Sequence, residues 1–205
     1  GRERALRALY RRAGVETRGS VLADGSGDLP IYTRPGEIPS TGRRMALHRE
    51  HAAPLARAAS AAALARAEVG PGSITHVVTA SCTGFEAPGA DQSIIRDLGL
   101  RPAVRRTHVG FMGCHAAINA LAVAAAYAGA DPAARVLVCC TELCSLHFAH
   151  GDDPERHVSN ALFADGAAAA VVAHSDAAPL RLDRFGATLI PETTGHMTWT
   201  IGDRG

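Results

Sequence analysis

The sequence predicts an α/β layered domain, and three observations carry that reading. Residues 74–80 and 134–143 are short, near-continuous apolar runs rich in β-branched side chains, the pattern of strands covered on both faces. Stretches of strong helix formers alternate with these strands instead of being gathered at one end of the chain. A polar turn, SCTGFEAPGAD, follows the first strand at its C-terminal end, the edge at which open α/β sheets hold ligands.

In chain order, residues 2–13 read as a basic helix, with Arg4, Arg7 and Arg11 on one face and Leu6, Leu9 and Tyr10 on the other. Residues 19–42 are rich in Gly, Pro and Ser and read mostly as loop, lying along an entrance. Helical character returns over 44–68 through Leu47, Leu55, Ala59, Ala63 and Leu64, with Pro54 a candidate break and Gly70-Pro71-Gly72 the stop. After the strand at 74–80, residues 92–98 read as a helix and 102–110 as a strand.

Residues 107–130 contain no Asp, Glu, Lys or Arg and are long enough to cross a bilayer. The stretch is built on Ala and carries Gly110, Gly113, His115 and Asn119, so the expectation is a buried helix at the centre of a large protein, beginning at Cys114. The strand at 134–143 follows, then a polar excursion, HGDDPERH. ALFADGAAAAVVAHS then reads as helix, turn at Asp165-Gly166, and strand. The closing ETTGHMTWTIGDRG reads as a strand with a turn, and the chain is expected to begin and end inside something larger.

Composition narrows the function classes. The 205 residues are 47% hydrophobic and 4% aromatic, and 21 basic side chains stand against 20 acidic ones. That balance excludes a disordered chain and a basic nucleic-acid surface, and a net charge of +1 gives no field to steer the protein onto phosphate or an anionic membrane. The N-terminus has neither an apolar signal core nor a cleavage site, so the expected location is the cytoplasm, with reduced cysteines.

The five cysteines stand at 82, 114, 139, 140 and 144, an odd number without paired CxxC elements, which favours neither a disulfide framework nor a zinc ribbon. Cys114 follows Gly113 and opens the charge-free helix, where unpaired amides and the helix dipole favour an anion and supply thiolate for nucleophilic attack. An inert buried thiol is the alternative at that position. Cys139 and Cys140 lie mid-strand, point to opposite faces and are expected in the core. Cys82 and Cys144 fall at or just past the ends of two strands, where they would line a pocket. His115 adjoins Cys114 but points about 100° away on a helix, so adjacency does not make it the base. His147 and His150 flank a polar turn, and no histidine–carboxylate cluster suggests a metal.

Six ordered pieces, SCTGFEAPGAD, LGLRPAVRR, GFMGCHAA, VLVCCTELCSLHF, SNALFADGAAAAVV and GHMTWTIGDRG, together resemble the type III polyketide synthases, the chalcone-synthase-like branch of the thiolase superfamily. The resemblance implies the N-terminal half of a thiolase-like αβαβα fold over residues 1–205, with a mixed sheet. It further implies a homodimer that condenses malonyl-CoA onto an acyl-CoA starter through a cysteine-bound acyl group, with no metal or organic cofactor. On this resemblance Cys114 is the nucleophile, and Phe163 is the aromatic gatekeeper between the CoA tunnel and the cavity. Cys82 and Cys144 occupy cavity-wall positions that are commonly Thr in plant members. With TELCSLHF, they look more like bacterial members making pyrones or small aromatics. Arg12 falls near the basic residues that bind CoA phosphate, with Arg7 or Arg11 as alternatives, and Ala87 stands where many members carry a Met reaching into the partner.

The His and Asn that complete the family's site belong to the C-terminal half, and no residue here matches them, so the isolated chain is expected to condense nothing. Two other readings remain open. An initiating ketoacyl-ACP synthase shares the fold and the Cys at a helix start, and would take its extender from an acyl carrier protein. A non-catalytic half-fold kept for dimerisation would leave Cys114 no more reactive than free cysteine.

Overall fold

The computed structural model describes residues 2–23, 30–32, 38–148, 151, 153–175 and 179–203. The elements are α1 (Arg2–Arg12), α2 (Thr41–Arg66), β1 (His76–Ser81), α3 (Ala90–Asp97), β2 (Arg105–Gly110), α4 (Ala116–Ala130), β3 (Arg135–Leu143), α5 (Pro154–Leu162) and β4 (Asp165–Ala173). The four strands form one mixed sheet in the order β2-β1-β3-β4. β1 runs parallel to both β2 and β3, whereas β4 is antiparallel to β3.

Two helical layers cover this sheet, and alternation along the strands assigns each side chain to one of them. Val77, Leu137 and Cys139 join Ala56, Leu64 and Ile94 in the cluster beneath α2 and α3. Val78, Ala80, Val136 and Val138 meet α4 on the opposite face. Cys139 and Cys140 part to these two faces, as a period of two requires. The α4 contact is a stripe of small residues, Ala116, Ala120, Ala124 and Ala128, whose four-residue spacing keeps one helical face close to the strands.

α2 begins before its predicted start because Ser40 caps it, its hydroxyl accepting from the Arg43 amide at 3.2 Å. It also runs through Pro54 without a break. Glu50, whose carbonyl loses its intrahelical donor to that proline, is exposed, so water can serve it. α5 starts inside the stretch read as a polar excursion. Asp153 supplies the cap, accepting from the Glu155 amide at 3.0 Å, and Pro154 fills the first helical position.

Three expectations are corrected. Cys114 does not begin α4; it sits in a preceding 3-10 turn, Gly113–His115, which Gly113 enters at φ 69°. Among the described residues the helix is covered on one face only, and Ile118 on the other side is 50% exposed. The run Gly113–Ala130 has the length and hydropathy to cross a membrane, yet its alanine stripe is spent on the sheet. No strand forms over 179–203, where Leu180, Leu189 and Met197 lie open without a neighbouring strand to pair with.

Candidate active site

The topology brings the candidate side chains to one edge of the sheet. Because β1, β2 and β3 are parallel, their C-terminal ends lie together. A cysteine follows each end: Cys82 directly after β1, Cys144 directly after β3, and Cys114 after β2 and the short link 111–113. β4 runs the other way, and its first residue, Asp165, pairs with Leu143 at the end of β3. Phe163, the C-cap of α5, is thereby delivered to the same edge, 42% exposed.

Cys114 is exposed, which argues against the inert buried thiol. Cys82 is half-buried, and its sulfur lies 3.7 Å from the Gly113 carbonyl oxygen, on the peptide that leads into Cys114. Cys144 is also half-buried. Burial first, then the carboxylates of Glu142 and Asp165, push its thiol up to about 12. Near neutral pH Cys144 is therefore a neutral thiol. Alkylation by iodoacetamide at about pH 8 should modify Cys114 well before Cys144, by on the order of 10²-fold in rate, read from the two tryptic peptides that separate them.

Two carboxylates build this edge, Glu142, which the sequence reading passed over, and Asp165, which it read as a turn residue. Glu142 accepts the Cys82 amide at 2.9 and 3.1 Å and the Thr83 hydroxyl at 2.6 Å, fixing the turn after β1 to β3. Asp165 accepts the Val21 amide at 2.7 Å, the Ser145 amide at 2.7 Å and the Ser145 hydroxyl at 2.6 Å, while its own amide donates to the Gly19 carbonyl. It is a fastener rather than only the turn residue expected. The one available signal was an acid with no cationic neighbour at a strand start.

The 3-10 turn Cys144–His147 is held from below as well. Tyr32 donates to the Leu146 carbonyl at 2.6 Å, and the buried Arg44 guanidinium donates to the same oxygen. Burial pushes the Tyr32 hydroxyl up to about 12, so it remains a donor. His147 donates from Nε2 to the Thr83 carbonyl at 2.7 Å and meets the Trp199 ring edge-on at 4.7 Å. His150 lies outside the described residues.

Burial lowers the pKa of both His147 and His48. The His48 Nδ1 stands 3.6 Å from Glu86 Oε1, and that carboxylate offsets the desolvation only in part. A native pKa below the unfolded value of 6.5 means that the unfolded chain takes up protons first as the solution is acidified. Stability should therefore be lost from about pH 6.5 downward until the native histidines themselves titrate. The urea midpoint should fall between about pH 7.5 and about pH 5.5, and His147→Gln should flatten that fall.

Arg12 is not brought to this edge. It stands exposed at the end of α1, a helix that rests on α5, and Arg11 beside it is equally exposed. His115 caps α4 by position without a side-chain hydrogen bond to it. Ala87 lines a separate cavity of about 430 Å³ between α2, β2 and the 84–91 turn, together with His48, Glu86 and Asp91. Among the described residues no group of three or more His, Cys, Asp or Glu side chains is placed to hold a metal.

An exposed thiol ahead of an apolar helix, at the C-terminal edge of a mixed sheet, is an arrangement that suits a nucleophile. The family model for chalcone and stilbene synthases, N-terminal domain, matches residues 16–176, and the chain belongs to that family. It is 40% identical over 176 residues to the alpha-pyrone synthesis polyketide synthase-like Pks18 of Mycobacterium tuberculosis, covering 85% of this chain and 44% of that one. It is 36% identical over 144 residues to the 1,3,6,8-tetrahydroxynaphthalene synthase of Streptomyces griseus, covering 70% and 39%. The crystal structure of 1,3,6,8-tetrahydroxynaphthalene synthase from Streptomyces coelicolor superposes with a TM-score of 0.87 at 28% identity, covering 98% of this chain and 56% of the other. The chain spans about half the length of the curated relatives it matches.

Proposed function

We propose that residues 1–205 are the nucleophile-bearing half of a type III polyketide synthase that condenses malonyl-CoA onto an acyl-CoA starter. The exposed position of Cys114, at the edge where Cys82, Cys144 and Phe163 also meet, carries this reading. The Cys114 sulfur attacks the thioester carbonyl, the bond to CoA sulfur breaks, and CoA leaves as its thiol. Malonyl-CoA then loses carbon dioxide, and the enolate carbon attacks the cysteine-bound acyl carbonyl, returning the Cys114 sulfur. Cys82 and Cys144 shape the cavity wall, Phe163 gates it, and Arg12, exposed on α1 away from that edge, meets the CoA phosphates outside the cavity. No metal or organic cofactor enters this scheme.

By resemblance, the His and Asn that stabilise the enolate belong to a C-terminal half, and the open apolar side chains of 179–203 give such a half a surface to cover. A homodimer is supported by β2, a sheet-edge strand beside the exposed Phe111, Met112 and Ile118. The cysteines at 82, 114, 139, 140 and 144 are free, which accords with a cytoplasmic location. Kinship to a pyrone synthase-like protein supports a pyrone or small aromatic product.

The test is incubation of the purified chain with an acyl-CoA, followed by mass spectrometry of its tryptic peptides. An acyl adduct on Cys114, with no condensed product on adding malonyl-CoA, is the expected result. An unmodified Cys114 would overturn the reading.

A further inference from the structure

We propose that Cys82 and Cys114 are an oxidative pair, which a hydroperoxide closes into a disulfide that masks Cys114 and spares it from irreversible oxidation. The pairing itself needs no synthase chemistry; only its consequence, a reversible loss of acyl transfer, rests on the proposed function.

Three observations select this pair. First, the Cys82 sulfur sits 3.7 Å from the carbonyl oxygen of Gly113, the peptide bond that ends at Cys114, so tertiary contact sets one thiol against the backbone that carries the other. Second, both are reachable, Cys114 being exposed and Cys82 half-buried at the same edge. Third, Cys114 lies in a 3-10 turn entered through a glycine at φ 69°, and not within the packed alanine stripe of α4. Its side chain can therefore turn toward Cys82 without unpacking the helix.

The other thiols are poorer partners. Cys139 is buried on the α2 face, its sulfur against the Ala56 carbonyl oxygen at 3.6 Å. Burial pushes Cys140 up to about 11 and Cys144 up to about 12, so neither supplies thiolate near neutral pH.

The chemistry balances with one hydroperoxide. The Cys114 sulfur attacks the peroxide, the O–O bond breaks, and the products are a sulfenic acid on Cys114 and water, or an alcohol from an organic hydroperoxide. The Cys82 sulfur then attacks the sulfenic sulfur, the S–O bond breaks, and a second water leaves with the Cys82 proton. Two thiols are oxidised and one peroxide is reduced.

Trypsin separates the participants, because arginines place Cys82 in peptide 67–96, Cys114 in 107–135, and Cys139, Cys140 and Cys144 together in 136–156. The reduced full chain is treated with hydrogen peroxide, blocked with iodoacetamide and digested without reductant. The expected product is 67–96 joined to 107–135, about 2 Da lighter than the sum and released by dithiothreitol. In Cys82→Ser the thiol recovered by dithiothreitol at Cys114 should fall on the order of tenfold, replaced by sulfinic and sulfonic acid, whereas Cys144→Ser should behave as the parent.

Circular dichroism of each variant confirms that the fold is kept. A cross-link to 136–156 instead, or equal irreversible oxidation of Cys114 with and without Cys82, would overturn the pairing. Acyl loading from acyl-CoA, measured on the same reduced sample, separates that result from a failure of the proposed function.

Discussion

Replacing Cys114 by alanine is expected to abolish covalent loading from acyl-CoA, a loss on the order of 10³-fold or more in the rate of adduct formation. The reason is chemical: loading needs a sulfur that can attack and then leave, and of the three thiols at this edge Cys114 is the exposed one. Cys144 lies nearby, yet burial and two carboxylates keep it protonated. Cys82 is accessible but follows β1 and precedes no helix within its turn. Serine at 114 keeps the shape and hydrogen-bonding capacity of the turn but ionises far less readily, so it should load no better than alanine. Intact-protein mass spectrometry after exposure to acyl-CoA reads the result directly. Adduct formation at wild-type rate in Cys114→Ala would move the nucleophile elsewhere and remove the basis of the proposed function.

Asp165→Ala is expected to cost roughly 3 kcal/mol of stability, because one carboxylate ties three donors that would otherwise lose their partner. These are the Val21 amide, the Ser145 amide and the Ser145 hydroxyl, at 2.6–2.7 Å. Asparagine should be little better. Both carboxylate oxygens accept from backbone amides, and a carboxamide must turn its own NH2 toward one of them. The break falls where the loop after α1, the turn bearing Cys144 and the start of β4 beside Phe163 converge. Urea unfolding gives the energy, and the alkylation rate of Cys144 reports whether the turn loosens. An unchanged midpoint in both variants would show that Asp165 does not fasten this corner.

Much of the architecture was legible beforehand, for identifiable reasons. β1 and β3 are covered on both faces, so their residues form unbroken apolar runs that no helix period mimics. α4 is uninterrupted helix former, and its start was misplaced by only the 3-10 turn at Gly113, a backbone choice that periodicity does not encode. The end of the chain misled more seriously. The closing stretch from 192 includes Thr, Trp and Ile in strand-like alternation, but a strand needs a partner, and among the described residues none pairs with it. α5 was hidden because its cap, Asp153-Pro154, sits in a stretch whose polarity resembles a loop.

From sequence alone came the alternating elements, the thiol at the mouth of the apolar helix and the family to which these motifs point, because each depends on residues close together along the chain. The tertiary structure alone decided which side chains share the site. Glu142 reaches Cys82 across 60 residues and Asp165 reaches Val21 across 144, contacts set by strand order and by the reversal of β4. Strand pairing is a long-range choice, paid in loop closure and repaid only when the whole sheet assembles, so no local pattern announces it. The same pairing laid Cys82 against the peptide that leads into Cys114.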